Sequence, residues 1–201
     1  MNFDFAAQIN PHLERMDMKS AIVLAEAELD RLPLTEFHDV IGRSLLHQAS
    51  ELAVWIDQFF HLVSKRMQIG ALYFEMNEFD INTDSWYIDC FAYVSDQGLD
   101  PEDMEWLVEY DASSRDEPGP VFVIGGYERL QMAFKTIDEK PADNNRADAS
   151  AWCEQIIIAR YMELIRAAHL SAKAGGMRWA TIPIYFTEHS YDFIVKSETE
   201  N

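Results

Sequence analysis

The chain has 201 residues, 48 % hydrophobic and 12 % aromatic, with 35 Asp and Glu against 16 Lys and Arg for a formal charge of −19. That much apolar content supports a buried core and excludes a disordered acidic tail, while the carboxylate excess argues against binding nucleic-acid phosphates or an anionic membrane. Met1 to Asn10 holds no basic or apolar leader region, and no run approaches the ~20 apolar residues that span a bilayer, so a cytoplasmic protein is expected.

The charge is uneven. Residues 1–70 hold 10 acids and 6 bases, 71–120 hold 14 and 1, and 121–201 hold 11 and 9, which are local charges of −4, −13 and −2. The middle segment also carries Tyr73, Phe74, Phe79, Trp86, Tyr87, Phe91, Tyr93, Trp106 and Tyr110. Acids interleaved with aromatics indicate one face of a sheet rather than a solvated tail.

In chain order, Ile22, Ala25, Leu29 and Leu32 recur at helical spacing over residues 18–32, with Pro33 as the stop. A longer helical pattern follows from Glu36 to about Met67, with Thr35 as N-cap and Gly42 placed to kink or split it. The period then changes to two. Leu72, Phe74 and Met76 alternate with Tyr73, Glu75 and Asn77, and Trp86, Ile88, Cys90 and Ala92 alternate with Tyr87, Asp89, Phe91 and Tyr93. A turn around Asn82-Thr83-Asp84 joins them as a hairpin that pairs Phe74 with Cys90 and Met76 with Ile88 on the buried face, and Glu75 with Asp89 on the other.

Met104–Tyr110 suits strand or helix equally, and Ser113–Pro120 is a loop. Val121–Ile124 is a short β-branched run ended by Gly125-Gly126, before a helix-like Tyr127–Ile137 and a polar connector, Lys140–Ala147. The clearest helix carries Ala149, Trp152, Cys153, Ile156, Ile157, Tyr161, Leu164, Ile165 and Ala168, with Gly175-Gly176 as its stop. Two strands, Thr181–Thr187 and Tyr191–Lys196, close the chain around a turn at Glu188–Ser190. The order predicts one α+β domain, 1–201, with an antiparallel or mixed sheet covered by amphipathic helices. Residues 1–68 form its helical part, and 69–201 its sheet with covering helices.

The chemistry-bearing constellations are sparse. Asp80-Ile81-Asn82-Thr83-Asp84 opens like a calcium loop but continues with Ser85, Ile88 and Phe91 where Gly and a bidentate Glu are needed, so it reads as a hairpin turn. His47 and His61 lie about 21 Å apart along a helix, too far to share a metal. His189 stands next to Glu188 in a tight turn and reads as exposed or turn-stabilising. Gly125-Gly126 lacks the Lys and Ser/Thr pattern of a phosphate loop and reads as a tight turn. Cys90 and Cys153 are too few for a disulfide framework or an all-cysteine zinc site and read as core residues. The chain contains no nucleophile elbow, no phosphate-binding loop, no paired C-x-x-C and no H-E-x-x-H. No catalytic residue, metal ligand or cofactor is assigned.

The runs Ala71–Asp80 and Trp86–Tyr93, the later Gly126–Phe134 and the closing Ile182–Ile194 resemble small bacterial α+β proteins of toxin–immunity loci, over about residues 70–196. The resemblance implies an antidote that binds and blocks one toxin domain, acidic where the toxin is basic. It transfers no functional residue. The acids expected on the partner face are Glu75, Glu78, Asp84, Asp89, Asp96, Glu102, Asp103, Glu105 and Glu109, with Tyr73, Tyr87, Tyr93 and Trp106 as anchors and a basic protein as partner. The alternatives are a carboxylate-dependent hydrolase, or a protein binding a small ligand or metal, using the same region. A DNA-mimicking inhibitor is a third and would also target a basic protein.

Overall fold

The computed structural model describes residues 2–100, 104–139, 143–191 and 193–199. Three helices come first. α1 (Phe3–Glu14) is capped by Asn2, whose side-chain oxygen accepts from the N–H groups of Asp4 and Phe5, and it buries Ala6, Ile9 and Leu13. The sequence reading assigned no helix here. The apolar spacing is correct, but Pro11 sits inside the pattern. α2 (Met18–Asp30) is capped by Asp17 and buries Ile22, Ala25 and Leu29, as expected.

The predicted 36–67 helix is broken. Thr35 caps only a 3-10 turn over Glu36–Val40, which ends where Ile41 leaves helical geometry, and Gly42 then takes φ +74°, a left-handed conformation that turns the chain away from the helical path. A second 3-10 turn leads into α3 (Ala49–Val63), whose apolar face is Leu52, Ala53, Ile56, Phe59, Phe60 and Val63.

The sheet is mixed. β1 (Ala71–Met76) pairs antiparallel with β2 (Tyr87–Tyr93), and the expected register holds, with Phe74 opposite Cys90, Glu75 opposite Asp89 and Met76 opposite Ile88. The 77–86 connection is pinned by Asn77, whose side chain accepts from the Tyr87 N–H and donates to the Ser85 carbonyl. Gly70 precedes β1 because a Cβ there would stand 2.6 Å from the Val94 carbonyl oxygen. β3 (Ala112–Ser113) and β4 (Phe122–Val123) each add a short antiparallel pairing to β2. Met104–Tyr110, left open by the sequence, contains a 3-10 turn over Glu105–Leu107.

After α4 (Glu128–Lys135) comes α5 (Asn144–Ala174), 31 residues or about 46 Å long. It ends as predicted at Gly175-Gly176 in a Schellman motif. The Met177 N–H reaches the Ala172 carbonyl, the Gly176 N–H reaches Lys173, and Gly176 takes φ +68°. β5 (Ile184–Glu188) runs parallel to β1 and antiparallel to β6 (Val195–Ser197), giving the order β3-β2-β1-β5-β6.

Leu72, Phe74, Met76, Ile88, Cys90, Ile184 and Phe186 form the inner face and join one large core with α1, α2, α3 and α5. α5 is buried on most of its circumference, as a helix packed between other helices and a sheet must be. The outer face is also covered. Tyr73, Phe91, Tyr93 and Tyr185 pack with Trp106 and Leu107 of the 3-10 turn in a second apolar cluster. No helix among the described residues is long and apolar enough to cross a membrane.

Candidate functional site

The outer face of β1 and β2 carries the predicted carboxylate pair. Glu75 and Asp89 stand directly opposite, where like charges repel. Each has its own answer to that repulsion. Arg115 donates to Asp89 Oδ2 at 2.6 Å. Glu75 takes the Tyr73 hydroxyl on Oε2 at 2.9 Å and lies 2.9 Å through Oε1 from His189 Nδ1. Asp89 is 0 % exposed, so it cannot face a partner as the sequence suggested. The predicted anchors Tyr73, Tyr93 and Trp106 are likewise buried, and Tyr87 is half-buried. The cause is the second apolar cluster. Both parities of these strands are apolar, and residues 104–113 fold over the parity that looked free.

The other predicted acids divide by their partners. Asp96 accepts from the Tyr185 hydroxyl, from the Gly98 N–H at 3.0 Å and from Lys196 at 3.3 Å. Burial raises its carboxyl, but these three groups outweigh it and hold Asp96 below the usual carboxylate range. Asp84 is paired with Lys135 at 2.6 Å on the surface. Glu102 and Asp103 lie outside the described residues. Glu105 and Glu109 are exposed, and between and beside them stand Val108, 78 % exposed, and Tyr110, 45 % exposed, with its ring 4.9 Å from Phe91. This apolar pair among acids was not singled out from the sequence.

A second acidic region, which the sequence reading missed apart from Glu78, lies where β1 and β5 end side by side. Glu78, Asp80, Glu154, Glu188 and Ser190 line a cavity of about 360 Å³ together with Phe3, Phe79 and Ile81. The Ser190 hydroxyl donates to Glu78 Oε1 at 3.0 Å. Glu188 is 1 % exposed. Its Oε2 accepts from the Ser190 N–H at 2.9 Å, and its Oε1 has no hydrogen-bond partner.

Burial pushes the Glu188 carboxyl up to about 8, the Ser190 N–H opposing and Asp80, Glu78 and Glu154 reinforcing. Burial also pushes Glu154 up to about 7, against the pull of the chain's amino terminus and helped by Asp80. The sequence did carry a signal for Glu188. It shares the parity of Ile184 and Phe186 and so belongs to the inner face. Among the described residues no three His, Cys, Asp or Glu side chains stand close enough to hold a metal ion. The two thiols, Cys90 and Cys153, are free and buried.

In comparisons with known proteins, no family model matches the chain, and neither a curated protein nor a solved structure does.

Proposed function

We propose that the chain is a non-enzymatic binding protein whose acidic outer face binds and neutralises a basic protein, as an immunity protein blocks a toxin domain. The observation that carries this reading is the surface of residues 104–111. Glu105, Glu109 and Asp111 are exposed around Val108 and Tyr110, and residues 94–111 contain no Lys or Arg. Carboxylates steer a basic partner and raise its association rate, while an exposed aliphatic and aromatic pair provides area to bury at the centre of the contact. The segment is firmly seated. Trp106 and Leu107 are packed beneath it, and Tyr93 donates its hydroxyl to the Leu107 carbonyl at 2.6 Å.

The test starts from a basic protein captured from the native host at low salt and released at high salt. With that protein purified, the Glu105→Lys/Glu109→Lys variant is expected to associate about tenfold more slowly, with a flatter salt dependence. An unchanged association rate for this variant, with its fold intact by circular dichroism, overturns the reading.

A further inference from the structure

A cleft of about 840 Å³ lies at the starting ends of β1 and β5, the end of that parallel pair opposite Glu188. One wall is the last turn of α3 and the segment after it, with Phe60, Met67 and Ile69, and the other is the 176–182 segment after α5, with Met177 and Ile182. Clefts of about 300–1,000 Å³ with mostly apolar walls and a few polar groups are where folded proteins take small molecules. The thioethers of Met67 and Met177 give the walls side chains that adapt to a ligand's shape.

The polar groups of this cleft set its charge. Lys173 and Arg178 are among the lining residues and no Asp or Glu is, in a chain with 35 acids against 16 bases. Both are exposed, and neither makes an ion pair or a side-chain hydrogen bond with the described residues. Elsewhere arginines are matched with carboxylates, as Arg66 is with Glu117, Arg115 with Asp89, Arg146 with Glu36 and Arg160 with Glu26. The Arg178 guanidinium carbon lies 5.8 Å from the centre of the Phe60 ring, so this charge stands at the aromatic wall of the cleft with its N–H groups available.

α3 and α5 both end at this cleft, and free carbonyls at helix C-termini would repel an anion. Those carbonyls are occupied. Phe60 accepts from the N–H and the hydroxyl of Ser64, Val63 accepts from the N–H groups of Arg66 and Met67, and Ala172 and Lys173 accept from the turn at Gly176-Met177. The net charge of the lining is therefore that of Lys173 and Arg178.

We propose that this cleft binds a soluble organic anion with an apolar body, a medium-chain carboxylate of the fatty-acid type. The carboxylate pairs with the Arg178 guanidinium, whose fork of N–H donors matches two oxygens, and Lys173 supplies a second positive charge. The hydrocarbon is withdrawn from water along Met67, Ile69, Met177 and Ile182. This site is independent of the 104–111 surface, and either can fail without the other.

Titration calorimetry on the full chain at pH 7, with decanoate, acetate and 1-octanol as probes, tests this. The expected result is one-to-one binding of decanoate with a dissociation constant under about 1 mM. Acetate, which lacks the apolar body, and 1-octanol, which lacks the charge, should each bind about tenfold more weakly or not at all. Lys173→Gln and Arg178→Gln, both at exposed positions, should each weaken decanoate several-fold and together about tenfold. In methyl NMR spectra of the unaltered chain, decanoate should shift the Met67 and Met177 resonances and leave those of Met18 and Met162, buried elsewhere in the core, in place. No saturable binding of decanoate at millimolar concentration overturns the proposal, as does an affinity unchanged in the double variant, 1-octanol binding as tightly as decanoate, or shifts that spare both cleft methyls.

Discussion

Asp89 and Glu188 are both acids on strands of one sheet, separated by β1, and both are almost fully withdrawn from solvent at 0 % and 1 % exposure. Each has one carboxyl oxygen without a hydrogen-bond partner, and they differ in what holds the other. Asp89 has a guanidinium at 2.6 Å, itself half-exposed and able to keep its hydration, and the pair lies on a face closed by Trp106 and Leu107. Glu188 has one backbone N–H and three further carboxyl groups around a cavity. A buried acid with its cation supplied from the same chain is part of the structure. A buried acid that faces other acids is one whose proton is held more tightly.

That contrast is broken most directly at Arg115. Arg115→Ala strands the Asp89 carboxylate in an apolar face, and urea denaturation at pH 7 is expected to show a loss of about 3 kcal/mol, the lower end of the cost of orphaning a buried charge because the guanidinium is half-exposed. A loss below about 1 kcal/mol would show that Asp89 does not depend on the Arg115 guanidinium and would remove the contrast.

The next effect is at Glu188 and has the opposite pH sense from an ordinary carboxylate. Its folded value of about 8 lies above the unfolded one, so its contribution is fully present below about pH 4.5 and is lost as pH rises through 8. Relative to Glu188→Gln, the native chain is expected to lose on the order of 2–3 kcal/mol between pH 5 and pH 9. Parallel stability curves for the two proteins over that range would place Glu188 in a polar setting like that of Asp96.

The smallest effect is at Asp96. Its carboxyl is held low, so the stability it contributes is present above the ordinary carboxylate range and is lost as pH falls through the folded value. Asp96→Asn should cost about 0.5–1 kcal/mol at pH 7, less in high salt because the group is partly solvated, and nothing in strong acid. Thermal melts at two pH values check this.

The contrast also explains what could be read from the sequence. The β1–β2 register was legible to the residue because strand parity and hairpin geometry are local properties, and the same holds for the α5 stripe and its double-glycine stop. α1 was hidden by Pro11, and the 36–67 pattern kept its apolar period across Gly42, where the backbone changes hand. The outer face was misread because Tyr73, Phe91 and Tyr93 have the composition of either a binding surface or a second core. Only the path of residues 104–113 decides which. The carboxylate cavity is assembled from α1, the loop after β1, α5 and β5, so no window of sequence contains it.

The parallel pairing of β1 with β5 has a consequence for how the chain reaches this structure. β1 meets β2 after a turn of ten residues but waits just over a hundred residues for β5. The hairpin can therefore close early, while the other edge of β1 stays open until one of the last segments of the chain arrives across a long loop closure. During that interval the unpaired N–H and C=O groups along Leu72–Met76 form an adhesive edge flanked by apolar side chains. Refolding that is slow and loses yield with rising protein concentration would be the signature of a sheet whose central partner comes last.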